Sequence, residues 1–324
     1  MAASSGPSPR PGWRRLLPAL ISAAILALVV AYVNPAELGR AFSRFEIGYL
    51  PWLIVISISY YLLKGWQWHL FLRPLRLLPG PLRTVLIYLA GQPMAVLPLG
   101  ELTRAFLLRQ FAKADLGQAS AAVVVQELLY PVGLIAVAIP GAGRFLGAQA
   151  AVALALVGLV GVGVILFWDR AFGLTMRLAA MVPVLRRYSP SLLGIHRNVV
   201  FIAGRRDSVV PILMGPVAAV IAIAAFYLTV RSVGIELGLY QVAFVYSVAH
   251  LAGGVSLLPG GFGAYEGTMT LLLVAFGVPA PVAAAIAILN RAFDRGLVTV
   301  VGTAVYLAIR RPSPLAAATL APDQ

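Results

Sequence analysis

The sequence contains no cysteine, and it is poor in histidine and in charged residues. Because none of the 324 residues is cysteine, a disulfide framework and a Cys-ligated metal site are both excluded. Three histidines are too few for a His-rich metal site, and we expect no metal or other cofactor. Charged residues make up 11% of the chain, compared with about 25% in soluble globular proteins. Hydrophobic residues make up 60%, which is more apolar surface than a soluble core can bury.

Common catalytic signatures are also missing. The chain has no His-Glu-x-x-His, no Gly-x-Ser-x-Gly and no phosphate-binding P-loop. The nearest approach to an intramembrane serine site is Gly254-Val255-Ser256-Leu257, and the residue that follows is not glycine. We therefore expect no catalytic residues, although missing motifs argue against an enzyme without excluding one.

Long apolar runs dominate what is present. A membrane-spanning helix needs about 20 mostly apolar residues. One long run, 280–309, is apolar but contains three charged residues. Two shorter runs, 82–99 and 264–276, are broken by proline and glycine. We predict an all-α polytopic membrane protein with about eight transmembrane segments, some of them re-entrant or broken. The clear spans are 16–33, 50–72, 119–139, 148–168, 209–230 and 240–258.

The runs define one membrane-embedded domain. We place it at 16–311, between a basic tail at 1–15 and a flexible tail at 312–324. The first run, 16–33, is too long for the apolar part of a signal peptide and lacks a small-residue cleavage site after it. We expect this run to be retained as a membrane anchor.

Arginine concentrates in alternate loops, which predicts the orientation of the chain. The tail 1–15, the turn after the second span and the loop 169–208 are rich in arginine, whereas 34–49 and 140–147 are not. We expect a multi-pass protein of the cell membrane with a cytoplasmic N-terminus, in which 82–111 enters and leaves on the cytoplasmic side. The net charge of +14 then faces anionic headgroups, and we expect no nucleic-acid partner.

The side of the C-terminus stays open at this stage. Arg310 and Arg311 favour a cytoplasmic end, which requires an even number of crossings. Six clear spans plus 280–309 as one helix give an odd number. Either 259–278 also crosses, or residues 291–295 separate two segments.

The strongest candidate for a functional site is Leu258-Pro259-Gly260-Gly261-Phe262-Gly263-Ala264-Tyr265-Glu266-Gly267. Proline and glycine leave backbone groups that hydrocarbon cannot satisfy, so this stretch should line a cavity or pack inside protein. A helix restarting near Gly263 would carry Glu266 in its first turn, and its free amides could instead bind a phosphate. The alternative is a tight turn followed by an ordinary first-turn glutamate.

A second break lies at Leu97-Pro98-Leu99-Gly100-Glu101, ahead of Arg104. Glu101 and Arg104 are three residues apart, so on a helix they share a face and can pair. The alternative is a helix N-terminus at the membrane surface with an exposed pair. The two Leu-Pro-x-Gly breaks lie about half a chain length apart, and interrupted segments at matching places in two halves are typical of transporter sites.

Other charges fall inside apolar runs, where an ionised side chain costs about 2.5–3.5 kcal/mol on insertion scales. Glu127 has no cation near it in the sequence. Arg291, Asp294 and Arg295 interrupt the last run, and Arg291 and Asp294 share a helical face.

The second span ends in a mixed aromatic and basic group. Lys64 and His69 lie near Trp66 and Trp68, a pattern typical of an interfacial belt with a snorkelling lysine. His250 is alone in the sixth span, which favours a hydrogen-bonded interior histidine over a metal ligand.

Two motifs together resemble a known family. The Pro259-Gly260-Gly261 to Glu266 segment, followed by an apolar run ending in Asn290-Arg291, resembles the lysylphosphatidylglycerol synthase transmembrane (flippase-like) family. Gly100-Glu101-Leu102-Thr103-Arg104 is similar to its Gly-Glu-x-x-Arg motif. The family's Glu-Arg-x-x-Asp segment is not kept, because this chain has Gln126-Glu127-Leu128-Leu129-Tyr130 there.

The resemblance implies a role in moving or handling lipid. In fused members this domain flips aminoacylated phosphatidylglycerol, while a separate soluble domain transfers the aminoacyl group. Only a short tail follows Arg311, so we expect a stand-alone member without that domain. Some stand-alone relatives are similar to proteins of polyprenyl-phosphate sugar or glycolipid pathways.

Our leading hypothesis is a lipid translocase for a phospholipid or polyprenyl-phosphate-linked lipid. Arg104 and Arg291 would contact an anionic or phosphate-bearing headgroup. Glu101, Glu127 and Glu266 would balance those charges or bind a cationic headgroup. Two alternatives remain: a non-transporting scaffold for a separate synthase or glycosyltransferase, acting through loop 169–208, and a membrane-embedded transferase with a glutamate base. The proposed substrate-binding residues are Gly100, Glu101, Arg104, Glu127, Pro259, Gly260, Gly261, Gly263, Glu266, Arg291 and Asp294.

Overall fold

The computed structural model describes residues 35–77, 79–97, 100–142, 146–181, 189–256 and 258–310. Over these residues the chain folds into α-helices joined by short turns, with no β-strand. The predicted all-α fold class is therefore confirmed. The first apolar run at 16–33, the tails 1–15 and 312–324, and Pro98 lie outside the described residues.

The α-helices are numbered here in chain order over the described residues. Short 3-10 turns cover Ile47–Tyr49, Arg73–Leu75, Gln92–Val96, Gly100–Leu102, Arg206–Ser208 and Pro259–Gly261, and a π-helical turn covers Ala292–Gly296. The helices are α1 (Pro35–Phe42), α2 (Leu50–Leu72), α3 (Pro81–Gly91), α4 (Thr103–Ala112), α5 (Leu116–Ala142), α6 (Leu146–Phe167), α7 (Asp169–Ala180), α8 (Ser189–Ala203), α9 (Val209–Arg231), α10 (Leu239–Val255), α11 (Ala264–Ala275), α12 (Ala280–Arg291) and α13 (Leu297–Arg310).

Four helical stretches in the described chain are long and apolar enough to cross a membrane. They are Ile47–Leu75, Leu116–Val137, Arg206–Arg231 and Ala280–Arg310. The ends of α6 and α7 pass the same test together but bend by 96° at Trp168, so they form a fifth span if counted as one. Shorter apolar helices include α10. These findings confirm a polytopic membrane protein.

The last apolar run is one continuous helical stretch. The three charged residues that interrupt it do not separate two segments, because α12 passes through the π-helical turn directly into α13. The alternative in which residues 291–295 form a break between two spans is therefore not observed.

Helix α5 lies at the centre of the bundle, packed against α8, α9 and α10. Small residues bring α5 and α9 close together. A Cβ added at Gly133 would lie 3.1 Å from the Cβ of Ala219, and one added at Gly215 would lie 3.1 Å from the Cβ of Leu129. Such small-residue contacts allow the helix backbones to approach inside a membrane, where tight packing rather than water exclusion holds helices together.

Large apolar side chains cover the outer surface of the spans. Val157 and Val160 of α6 and Val217 and Val220 of α9 are each at least half exposed. In a soluble protein this surface would cause aggregation, whereas lipid chains solvate it without penalty. The exposed apolar surface agrees with the membrane assignment made from composition.

The two segments predicted to be broken are broken, and they meet. Helix α3 ends in the 3-10 turn Gln92–Val96, and the chain then enters α4, which packs back on α3 as a re-entrant pair would. The turn Pro259–Gly261 separates α10 from α11 in the same way. The turns Gln92–Val96 and Pro259–Gly261 lie in contact with each other. Two breaks half a chain length apart therefore form one interior region.

Gly302 sets the contact between α13 and the re-entrant pair. A Cβ at Gly302 would overlap the Leu89 carbonyl oxygen and approach Pro93 Cδ at 2.9 Å. The Gly302→Ala substitution should lower the free energy of unfolding by about 1–3 kcal/mol through overpacking. Thermal unfolding of the purified protein in detergent measures this effect. Gly158→Ala is the matched control, because a Cβ there meets nothing within 4 Å; equal unfolding temperatures for both variants would contradict the expected contact.

Candidate functional site

Arg104 lies at the centre of a group of charges between the helices, the first ion cluster, in which Arg104 and Lys64 are buried. Its Nη2 donates a hydrogen bond to Glu127 Oε1 at 2.7 Å, and its Nη1 lies 3.5 Å from Glu101 Oε2. Lys64 Nζ lies 3.8 Å from the same Glu127 oxygen. Arg295 Nη1 lies 3.5 Å from Glu101 Oε1. The first ion cluster comprises Lys64, Glu101, Arg104, Glu127 and Arg295.

Packing around Arg104 fixes its guanidinium. Only 1% of the residue is exposed, and the group lies over the Tyr88 ring at 4.9 Å and the Trp68 ring at 5.7 Å from their centroids. Gly91 makes this position possible, because a Cβ on Gly91 would lie 3.0 Å from the Arg104 Cβ. Aromatic faces and carboxylates together stabilise a cation that hydrocarbon would otherwise destabilise.

Gln126 joins the helices that carry this cluster. Its side-chain amide donates to the Lys64 carbonyl oxygen at 2.6 Å and to Gln67 Oε1 at 2.9 Å. Gln67 in turn donates to the Pro211 carbonyl oxygen at 2.8 Å. These bonds connect α5, α2 and α9. Sequence analysis noted Gln126 only as a departure from a family motif. An amide side chain within an apolar run was the sequence signal for such a contact.

Arg291 and Glu266 form the second ion cluster together with Gly260 and Gly263. Arg291 Nε donates to Glu266 Oε1 at 2.6 Å, and its Nη2 donates to the Gly260 carbonyl oxygen at 3.2 Å. The other Glu266 oxygen accepts the Gly263 N–H at 2.7 Å, which caps α11. Glu266 is 2% exposed and Arg291 is 8% exposed. Rings of Tyr265 and Phe262 lie 4.2 and 4.8 Å from the guanidinium carbon.

The glycines of this break have conformations that other residues rarely adopt. Gly260, Gly261 and Gly263 have φ values of +59°, +68° and +84°. A Cβ on Gly261 would also lie 3.0 Å from the Gly253 backbone of α10. The Pro-Gly-Gly sequence therefore serves both the turn and a close approach between α10 and the break.

An aromatic cluster of Tyr60, Tyr61, Tyr130, Tyr246, Tyr265 and His250 fills the space between the two ion clusters. The Tyr130 and Tyr246 hydroxyls are 2.9 Å apart, and the His250 ring packs against Tyr130, Tyr246 and Tyr265 at 5.1–5.6 Å between centroids. A small cavity lies beside it, walled by Ser57, Tyr60, Tyr61, Tyr246, Asn290 and Asp294 among others. Aromatic rings, several of which carry hydroxyl groups, thus contact both ion clusters.

The predicted Glu101–Arg104 pair and the predicted position of Glu266 are confirmed. Glu101 and Arg104 pair as their spacing indicated, with Arg104 buried and the Glu101 side chain 25% exposed. Glu266 lies in the first turn of a helix that begins at Ala264. Glu127, which has no cation near it in the sequence, contacts Arg104 and Lys64 from other helices.

One expectation is wrong. Lys64 and His69 are not in an exposed interfacial belt: Lys64 is 4% exposed beside Glu127, and His69 is 3% exposed with Nδ1 3.2 Å from Thr84 Oγ1. Arg291 pairs with Glu266, and Asp294 lies in the π-helical turn that follows Arg291. His250 Nδ1 has no hydrogen-bond partner among the described residues, since aromatic rings surround it.

The pair Arg104–Glu127, whose arginine is buried, should show strong energetic coupling. Alanine at Glu127 removes the nearer of the two carboxylates that contact Arg104, and alanine at Arg104 removes the nearer of the two cations that contact Glu127. The double variant should therefore be less destabilised than the sum of the two single variants, by about 0.5–3 kcal/mol. Unfolding in detergent measures this cycle. The exposed pair Arg231–Glu236 has the same 2.7 Å separation and is the matched control; coupling there as large as in the interior would contradict the assigned role of burial.

Comparison with known proteins places these features in a family. A model of the lysylphosphatidylglycerol synthase TM region matches residues 15–302. A UPF0104 membrane protein of Methanothermobacter thermautotrophicus is 24% identical over 314 residues, covering 88% of this chain and 92% of the relative.

Two shorter alignments carry higher identity. A UPF0104 membrane protein of M. thermautotrophicus is 38% identical over 76 residues, which are 24% of this chain and 23% of the relative. UPF0104 membrane protein MJ1595 of Methanocaldococcus jannaschii is 31% identical over 105 residues, 32% of this chain and 31% of the relative. Both broken segments and both ion clusters lie within the region matched by the family model. The chain therefore belongs to the family of the lysylphosphatidylglycerol synthase transmembrane region.

Proposed function

We propose that this membrane protein is a flippase-like translocase that moves a phospholipid or polyprenyl-phosphate-linked lipid across the cell membrane. The observation that carries the proposal is the meeting of the two broken segments, each with a buried arginine beside it. Unwound backbone and paired charges in a membrane interior are typical of substrate sites in transporters. The family is named for a synthase of a phosphatidylglycerol derivative, which supports a lipid headgroup as the substrate.

Arg104 has unused capacity to bind an anion. Its Nε and Nη1 are buried and have no hydrogen-bond partner among the described residues. A buried N–H group without an acceptor costs about 1–3 kcal/mol, and more when it belongs to a charged group. A phosphate oxygen that reaches either donor would accept a charge-assisted hydrogen bond from it.

Arg291 would bind a phosphate by exchanging one of its present hydrogen bonds for a bond to the phosphate. Its hydrogen bond to the Gly260 carbonyl oxygen is long at 3.2 Å, whereas its bond to Glu266 is short at 2.6 Å. A phosphate can replace the weaker contact while Glu266, held by the Gly263 N–H, keeps the guanidinium in place. In this arrangement the glutamates hold the arginines in position when lipid is absent.

The basic helices α7 and α8 favour a second candidate, a scaffold that holds a separate synthase or glycosyltransferase at the membrane. Helix α7 turns by 96° from α6, and Arg170, Arg177 and Arg197 are exposed on α7 and α8. Leu174 and Leu178 are also exposed. Such a surface suits an anionic membrane face or a partner protein, and it is consistent with a cytoplasmic side shared by this loop and the N-terminus.

The translocase proposal predicts loss of transport when either buried arginine is removed. Arg104→Ala and Arg291→Ala should each slow translocation by about tenfold or more, because each removes charge-assisted hydrogen bonds to the headgroup. Arg291→Lys should recover part of the rate, since it keeps the charge without the two-pronged geometry. The assay uses proteoliposomes with fluorescent phospholipids and polyprenyl-phosphate analogues, and mass spectrometry should recover the lipids chemically unchanged.

Arg177→Ala, an exposed position on α7, is the control for general loss of charge and should leave the rate unchanged. Folding of each variant is checked by its unfolding temperature in detergent. Normal transport by folded Arg104→Ala and Arg291→Ala would contradict the proposal. Absence of transport by the wild type, with loss of partner binding in an Arg170→Ala, Arg177→Ala, Arg197→Ala triple variant, would favour the scaffold.

A further inference from the structure

Asp294 lies in the chain between Arg291 of the second ion cluster and Arg295 of the first. It lies in the π-helical turn Ala292–Gly296, three residues after Arg291 of the second cluster and next to Arg295 of the first. The Tyr61 hydroxyl donates to the Asp294 backbone carbonyl at 2.6 Å and lies 3.4 Å from its Oδ1. π-helical turns are rare and occur often at functional sites.

Asp294 is the carboxylate of this interior that has no cation of its own. Arg291 pairs with Glu266, and Arg295 pairs with Glu101, while Asp294 forms no ion pair with any described residue. Its Oδ2 is buried and accepts no hydrogen bond from the described part of the chain.

The cavity wall around Asp294 provides hydrogen-bonding groups. Asp294 lines a cavity whose other walls include Ser57, Tyr60, Tyr61, Tyr246 and Asn290, whose hydroxyl and amide groups can hydrogen-bond to either form of the carboxyl group. The π-helical turn packs against α2, α12 and α13, and α10 contributes to the cavity. The titratable groups that interact electrostatically with Asp294 are Tyr60 and Tyr61 of α2, Tyr130 of α5, Tyr246 and His250 of α10, Tyr265 of α11 and the adjacent Arg295. Arg291 of α12 lies three residues before Asp294 in the chain.

Charge in this interior is balanced only when Asp294 is ionised. Four cations, Lys64, Arg104, Arg291 and Arg295, then face four carboxylates, Glu101, Glu127, Glu266 and Asp294. Protonation of a glutamate would break an ion pair, whereas protonation of Asp294 breaks none. The protonated site carries one net positive charge, which matches the single negative charge of a phosphodiester headgroup.

We propose that Asp294 takes up one proton when a singly charged phosphodiester lipid binds and releases it when the lipid leaves. The proposal rests on the lipid-binding site described above and identifies its coupling ion. In this step one carboxylate, one proton and one free lipid anion become one neutral carboxyl group and one bound lipid anion. Binding is therefore favoured as pH falls, because the proton is a co-ligand.

Equilibrium binding of short-chain phosphatidylglycerol to the purified full-length protein in detergent tests this step between pH 5.5 and 8. For the wild type, the Kd should rise by up to about tenfold per pH unit above the midpoint of the linked titration. Proton uptake in weak buffer should approach one proton per lipid bound. Asp294→Asn should bind without this pH dependence, and Asp294→Glu should restore it. Asp207→Asn, at an exposed carboxylate in the Arg206–Ser208 turn, should keep the wild-type slope.

Wild-type binding that is independent of pH and takes up no proton would overturn the inference, whether or not the variants fold. Retention of the slope in Asp294→Asn would also overturn it, as would loss of the slope in His250→Gln alone. Proton-linked binding without translocation in proteoliposomes would overturn the transport proposal but leave Asp294 as the proton site. Translocation together with pH-independent lipid binding would overturn the assignment of Asp294 as the proton site and leave the transport proposal standing.

Discussion

The need to compensate buried cations inside the membrane constrains this structure more than any other interaction. Arg104 and Arg291 are almost fully buried, and each meets a glutamate oxygen at 2.7 or 2.6 Å. Lipid offers no alternative partner, so loss of Glu266 would leave Arg291 without a carboxylate, and loss of Glu127 would leave Arg104 with only the longer contact to Glu101. The relative positions of α4 and α5, and of α11 and α12, follow from these two pairs.

The same charged groups also satisfy the broken backbone. Glu266 accepts the Gly263 N–H at the start of α11, and Arg291 donates to the Gly260 carbonyl at the turn. A break in a membrane helix leaves backbone groups that must find partners within the protein. The same two side chains therefore form the ion pair and satisfy the interrupted backbone. A ligand that draws Arg291 away would also leave the Gly260 carbonyl without this hydrogen bond.

The π-helical turn connects the two clusters along one helix. Its extra residue rotates the chain, so that Arg291 faces Glu266, Arg295 faces Glu101, and Asp294 faces the cavity beside Tyr61. A regular α-helix would have placed Arg291 and Asp294 on a common face. Asp294 lies outside the ion pairs that Arg291 and Arg295 form, which gives the interior a carboxylate that can change charge without breaking an ion pair.

The sequence by itself determined the features that depend on neighbours along the chain. These are the apolar lengths of the spans, the proline and glycine breaks, the Glu101–Arg104 pair at a spacing of three, the Glu266 cap of α11, and the family, through two short motifs. Only the tertiary structure decided the partners of Glu127, the burial of Lys64, the contact between the breaks and the isolation of Asp294. Those outcomes depend on helix packing and on a single π-helical turn, because periodicity fixes which residues share a face but not which distant helix that face meets.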